Sequence, residues 1–212
     1  VSEGIPHCMR AEVWQYLAGV QDVYQPNEYQ RLIDQASDSS ALPAATVHLF
    51  DVIERDLGRC YPDHVLFVDP NGPGQRELRN ILRAYALHNP DVGYCQGMGR
   101  LVGLMLITGL APEAAFWLLT ALLSHTLKGY YTPTLFQLRV HAASFGVLLR
   151  EHDPYLHRHI IEKCQVEPLT FMTNWFLTAY TMALPWHLAL RVWDWMILRG
   201  PKVLFRVGIG ML

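Results

Sequence analysis

The sequence predicts an all-α domain. Three observations carry that expectation. Apolar residues recur at three- and four-residue spacing along most of the 212 residues. Convincing strand alternation is missing, and so are hairpin signals. No internal repeat of solenoid length is present, which disfavours a stacked helical array.

Composition bounds the function classes. Apolar residues make up 51% of the chain, with six Trp, ten Tyr and eight Phe, so one large domain or two small ones can bury a substantial core. The net charge of −2, with Lys and Arg scattered, argues against nucleic-acid binding and against a polybasic membrane anchor. Cys8, Cys60, Cys95 and Cys164 form no C-x-x-C pair, and no His lies at zinc-like spacing from two of them. They are expected to be reduced and mostly buried in a cytoplasmic protein. The N-terminal stretch is polar and broken by Pro6, unlike a secretory signal. The most hydrophobic run, 101–123, is cut by Pro112 and Glu113. Each half falls short of the ~20 residues that cross a bilayer, so two buried helices joined by a tight turn are expected.

Taken in order, the first helix is predicted over 9–18, where Val13, Trp14 and Leu17 make one apolar face. Asn27 is placed to cap a second helix starting "EYQRLID". The small polar stretch 35–43 reads as a loop. Phe50 (or Leu49), Ile53 and Leu57 then form the stripe of a third helix. Turn residues crowd 68–75, and Leu78, Ile81, Leu82 and Tyr85 define the helix after them. Asn89-Pro90-Asp91 ends it. Helices are predicted over 101–110, 113–123, 135–152 and 169–184, and from Pro185 through "WHLALRVWDWMIL". The last segment, 203–212, reads as still helical, so the parent protein is expected to continue beyond it. A change of subdomain is placed near 109–111 or Gly129. Asp194, between Trp193 and Trp195, reads as a buried structural carboxylate.

Nucleotide-binding marks are absent: there is no G-x-x-x-x-G-K-[ST], and no G-x-G-x-x-G after a strand. Two residues stand out instead. Arg59 follows Gly58 at the end of the third helix, with Asp56 one turn earlier and Pro62 just after. Gln96 sits between Gly93 and Gly97, with Tyr94 two residues before it. Each alone could be structural, since an arginine is favoured at a helix C-terminus. Together, a cation and an amide on cleared ground are the pair that stabilises a phosphoryl-transfer transition state and orients a water.

"GIPHCMRAEVWQYL" (4–17), "IERDLGR" (53–59), "NPDVGYCQGM" (89–98), "EAAFWLL", "GYY" and "LRVWDWMILRG" follow one another in a recognisable order. On these blocks the chain resembles the TBC domain, the Rab GTPase-activating module, over essentially all of residues 1–212. The overlap is closest to the subgroup that contains the EPI64-like and RN-tre-like proteins.

The resemblance implies two helical subdomains forming a groove, and a dual-finger mechanism. Arg59 would enter the GTPase site in trans, and Gln96 would orient the attacking water. Ile53 and Asp56 would position the finger, Tyr94 and Gly97 would support the glutamine loop, and Arg10 would help build the docking groove. The implied partner is a Rab GTPase in its GTP-bound form, which carries the GTP and magnesium itself. The chain is then expected to need no cofactor or metal, to bind no nucleic acid, to insert in no membrane and to be a monomer. The other reading is a TBC-like scaffold that binds a small GTPase, or another trafficking partner, without activating it. Three positions depart from the family pattern: Ala11 for a common Gly, Cys60 for a common Thr, and Gly99, followed by Arg100, for a common Asn. Of these, Gly99 is the one expected to loosen the helix after Gln96 or to remove a contact to the GTPase.

Overall fold

Helix α5 (Pro73–His88) turns the apolar spacing into a core. Pro73 opens it at the first helical position, where a missing N–H costs nothing. Leu78, Ile81, Leu82 and Tyr85 lie on one face and are buried. Around that face pack α3 (Glu28–Ser37), α4 (Ala44–Leu57), α6 (Met98–Ile107) and α7 (Pro112–Ser124). Helix α7 is apolar on every side, and Phe116, Trp117, Leu118, Leu119 and Leu122 are buried accordingly. The turn between α6 and α7 passes through Gly109 at φ 89°. No helix among the described residues is long and apolar enough to cross a membrane.

The computed structural model describes residues 4–38, 40, 42–132 and 134–212. Helices α1 (His7–Leu17) and α2 (Val20–Val23) pack on α7 and complete the first half. The second half contains α8 (Phe136–His152), α9 (Pro154–His157), a π-helical segment (Arg158–Lys163), α10 (Pro168–Leu177), α11 (Trp186–Arg199) and α12 (Lys202–Met211). There α8 packs on α10, and α12 on α10 and α11. No strand occurs among the described residues. Because α7 packs mainly on α1, α2, α5 and α6, the turn at 109–111 is internal to the first half, and the halves change over on the Gly129 side, between α7 and α8.

One buried carboxylate ties the halves. Asp194 on α11 accepts from Arg10 Nε (3.0 Å) and Nη2 (3.2 Å), from Trp14 Nε1 (2.8 Å) and from the Ile5 backbone N–H (3.1 Å). The Trp14 and Trp193 rings pack beside it, centroids 5.4 Å apart. A charge so deep is tolerable only when fully paired, and here both carboxylate oxygens are taken.

Several expectations are corrected. The helix predicted over 169–184 stops at Leu177, and Ala179 and Tyr180 adopt left-handed backbone. Long-range hydrogen bonds hold that turn: Trp193 Nε1 donates to the Ala179 carbonyl (3.1 Å), and the Tyr180 hydroxyl to the Leu204 carbonyl (2.6 Å). Asn27 precedes α3 as expected, yet its side chain makes no cap, because its backbone is itself left-handed, at φ 62°. Helix α3 runs through Ser37 and so takes up the start of the predicted loop 35–43. Ser39 and Ala41 of that loop lie outside the described residues. The thiols are free, but Cys8 and Cys164 are exposed rather than buried.

Candidate functional site

Helix α4 presents the arginine. Ile53 is fully buried beneath its last turn and fixes the helix against the core. After Leu57 the chain leaves the helix in a tight turn, with Arg59 N–H on the Asp56 carbonyl (3.1 Å) and Cys60 N–H on the Leu57 carbonyl (3.0 Å). Gly58 faces open space. Asp56 is nearly buried and receives the Arg59 guanidinium on one carboxylate oxygen. The other oxygen accepts the Tyr94 hydroxyl at 2.9 Å. The Arg59 contact is made through Nη2, so the guanidinium lies over the Asp56 carboxylate, while 63% of the Arg59 side chain stays exposed.

The glutamine comes from the loop before α6. Gly97 takes φ 110°, and a Cβ there would lie 3.0 Å from the Leu177 carbonyl oxygen at the end of α10. Only glycine allows this backbone so near that helix. The Gln96 side chain is exposed and has no hydrogen-bond partner among the described residues. Arg59 and Gln96 line one cleft of about 530 Å³, with Asp56, Tyr94 and Gly97 at its walls and Thr173 and Asn174 of α10 on its far side.

Five of the seven residues singled out in the sequence therefore line this cleft, and Ile53 lies buried one turn before Asp56 on α4. Arg10 does not reach it: its guanidinium is buried on Asp194, where it braces α1 to α11. Residues that the sequence did not point to are Thr173 and Asn174, which no motif marks, and Arg100, which stood out only as a departure. The Arg100 guanidinium lies 4.8 Å over the Tyr61 ring, in the same cleft.

Two of the departures touch. A Cβ at Gly99 would sit 2.6 Å from Cys60 Sγ. Gly99 is buried in the first turn of a regular α6, so the helix after Gln96 starts without loosening. Cys60 Sγ donates to the Asp56 carbonyl at 3.3 Å, which ties the thiol into the arginine turn.

The cleft can bind and polarise, but it offers no nucleophile of its own. Asp56 is committed to Arg59 and Tyr94. Burial, reinforced by the Asp56 carboxylate, keeps the Tyr94 hydroxyl protonated well above its ordinary range. Burial pushes Cys60 up to about 11, and it raises Cys95 as well, so both remain thiols near neutral pH. Among the described residues no cluster of His, Cys, Asp or Glu could hold a metal ion. What remains is an exposed guanidinium beside an exposed amide, a donor set for charge that another molecule brings.

Residues 7–212 match the Rab-GTPase-TBC domain family. TBC1 domain family member 10B of Mus musculus is 36% identical over 99% of this chain, which spans 25% of that protein. Carabin of Mus musculus is 37% identical over 99% of this chain, which spans 46% of it. The chain thus covers less than half the length of these two relatives. The crystal structure of the Chlamydomonas flagellar RabGAP TBC domain superposes with a TM-score of 0.84 at 30% identity, over 99% of this chain and 68% of that one. The Ypt/Rab-GAP domain of Gyp1p shares the fold, with a TM-score of 0.75 at 22% identity over 95% of this chain and 72% of that one. Matched over nearly all of its length, the protein belongs to the Rab-GTPase-TBC domain family.

Proposed function

We propose that this chain is a GTPase-activating module that acts in trans on a Rab GTPase in its GTP-bound form. The observation that carries the reading is the single cleft in which Arg59 and Gln96 stand exposed while Asp56 and Tyr94 bind their two turns to each other. Arg59 neutralises charge developing on the transferring phosphoryl group, and Gln96 orients the attacking water. Ile53 and Asp56 hold the arginine turn, while Tyr94 and Gly97 hold the glutamine loop. The GTP and its magnesium come with the partner, so the chain needs no cofactor and performs no hydrolysis alone. The module works in the cytoplasm as a monomer and is brought to the periphery of endomembranes by its partner. Within the family it stands with the TBC1 domain family member 10 proteins, the EPI64-like group, a placement supported by identities of 35–36%.

The test is phosphate release from a panel of GTP-loaded Rab proteins with the domain in catalytic amounts, wild type beside Gln96→Ala. Acceleration of one or a few members, reduced in the variant while docking is kept, is the expected outcome. A docking loss equal to the rate loss would contradict the water-orienting role. Binding without acceleration by the wild type would make the chain a scaffold.

A further inference from the structure

The cleft holds a second guanidinium with no place in the dual-finger scheme. Arg100 lies in the first turn of α6, one helical turn beyond Gln96. A cation there opposes the helix macrodipole, so local stability does not account for the choice. No carboxylate lies within ion-pair distance of Arg100 among the described residues, in contrast to Arg59 on Asp56. An aromatic shelf holds Arg100 in place of a counter-ion. Its guanidinium carbon lies 4.8 Å over the Tyr61 ring centroid, and the Tyr61 hydroxyl donates to the Arg100 carbonyl at 3.0 Å. Trp186 meets the same Tyr61 ring edge-on, centroids 6.2 Å apart. Tyr61 keeps a left-handed backbone, φ 52°, to lie there, a conformation that costs energy for a bulky residue.

The charge count of the cleft follows. Arg59 and Asp56 cancel, and Arg100 leaves the floor with one uncompensated positive charge. A guanidinium held over a ring and paired with no carboxylate keeps N–H groups free for a bidentate acceptor. We infer that Arg100 is a docking and specificity determinant that receives an Asp or Glu carboxylate of the bound GTPase, outside the phosphoryl-transfer site. This inference rests on the reading of the cleft given above. It divides the labour between the two arginines: Arg59 acts on the transition state, whereas Arg100 acts on encounter and on the choice of partner.

The experiment uses Arg100→Gln, which keeps a polar side chain but removes the charge and the guanidinium fork, beside Arg100→Glu. Both are run against the Rab protein that the wild type accelerates best. The expected result for Arg100→Gln is a KM raised roughly tenfold with kcat within about twofold, and a weaker dependence of KM on salt. Arg100→Glu raises KM further and changes the rank order across the Rab panel. A fall in kcat at unchanged KM would place Arg100 on the phosphates and overturn the inference, as would kinetics unaltered in both variants. Equal thermal midpoints establish that the fold is intact. If wild type accelerates no Rab, the activating reading fails by itself. Binding of the same panel loaded with a non-hydrolysable GTP analogue then decides on Arg100: a tenfold weaker complex for Arg100→Gln supports it, and equal or absent binding overturns it.

Discussion

Two arginine–aspartate pairs in this molecule share one bond type and behave as opposites. Arg10 and Asp194 join α1 to α11 in the core, with side-chain exposures of 8% and 0%. Arg59 and Asp56 sit one turn apart at the end of α4, and there the aspartate is nearly buried while 63% of the arginine is exposed. In the first pair the carboxylate gathers four donors from three residues, so the arginine is one of several groups that satisfy it. In the second the carboxylate acts as an anchor, with the Tyr94 hydroxyl on one oxygen and Nη2 of a largely exposed arginine on the other. The bond type is the same, and burial decides its use. A buried pair holds the fold, because losing a partner strands a charge in low dielectric. A half-exposed pair adds little stability and aims a group at what lies outside.

That contrast can be broken at either end. The largest effect is expected at Arg59. Arg59→Lys keeps the charge but loses the fork, and activation should fall toward the unassisted rate, where an arginine finger is worth ~10³–10⁵ in rate. Substantial activity in the lysine variant would reduce Arg59 to a point charge. Next comes the core pair. Asp194→Ala strands Arg10 and the Trp14 indole N–H, and should cost about 3–5 kcal/mol in chemical denaturation. A loss below about 1 kcal/mol would show that the pair is not the brace described here. A smaller effect is expected where Gly99 meets Cys60. Gly99→Ala should cost about 1–3 kcal/mol through overpacking, and Cys60→Ala in the same chain should recover most of it. Additive losses would mean that the two positions do not touch. Smallest is the thiol reactivity, where iodoacetamide at pH 8 should label exposed Cys8 and Cys164 well before Cys60. Prompt labelling of Cys60 would mean that the arginine turn opens readily.

The legible parts were local. Helices with a three- and four-residue apolar stripe, such as α4 and α5, followed from spacing alone. So did the Arg59–Asp56 pair, because residues three apart share a helix face. Whatever depends on distant partners was not legible. The turn after α10 is held by hydrogen bonds to Trp193 and Leu204, which lie outside the window 169–184. Tyr94 meets Asp56 across 38 residues, and that contact is what unites the two turns of the cleft. Arg10 carried a motif signal, but the sequence does not say that its guanidinium faces Asp194 rather than the cleft. Gly99 and Cys60 each read as a departure from a pattern, and only the packing makes them one feature.

The most direct measurement takes Arg59→Ala and the wild type through two assays on the same preparations: phosphate release from the best GTP-loaded Rab, and the thermal midpoint of the domain. The expected result is activation lost with the midpoint unchanged, as befits an exposed group aimed at a partner. A variant that melts markedly earlier, or that still activates, would contradict the assignment of Arg59 as the finger.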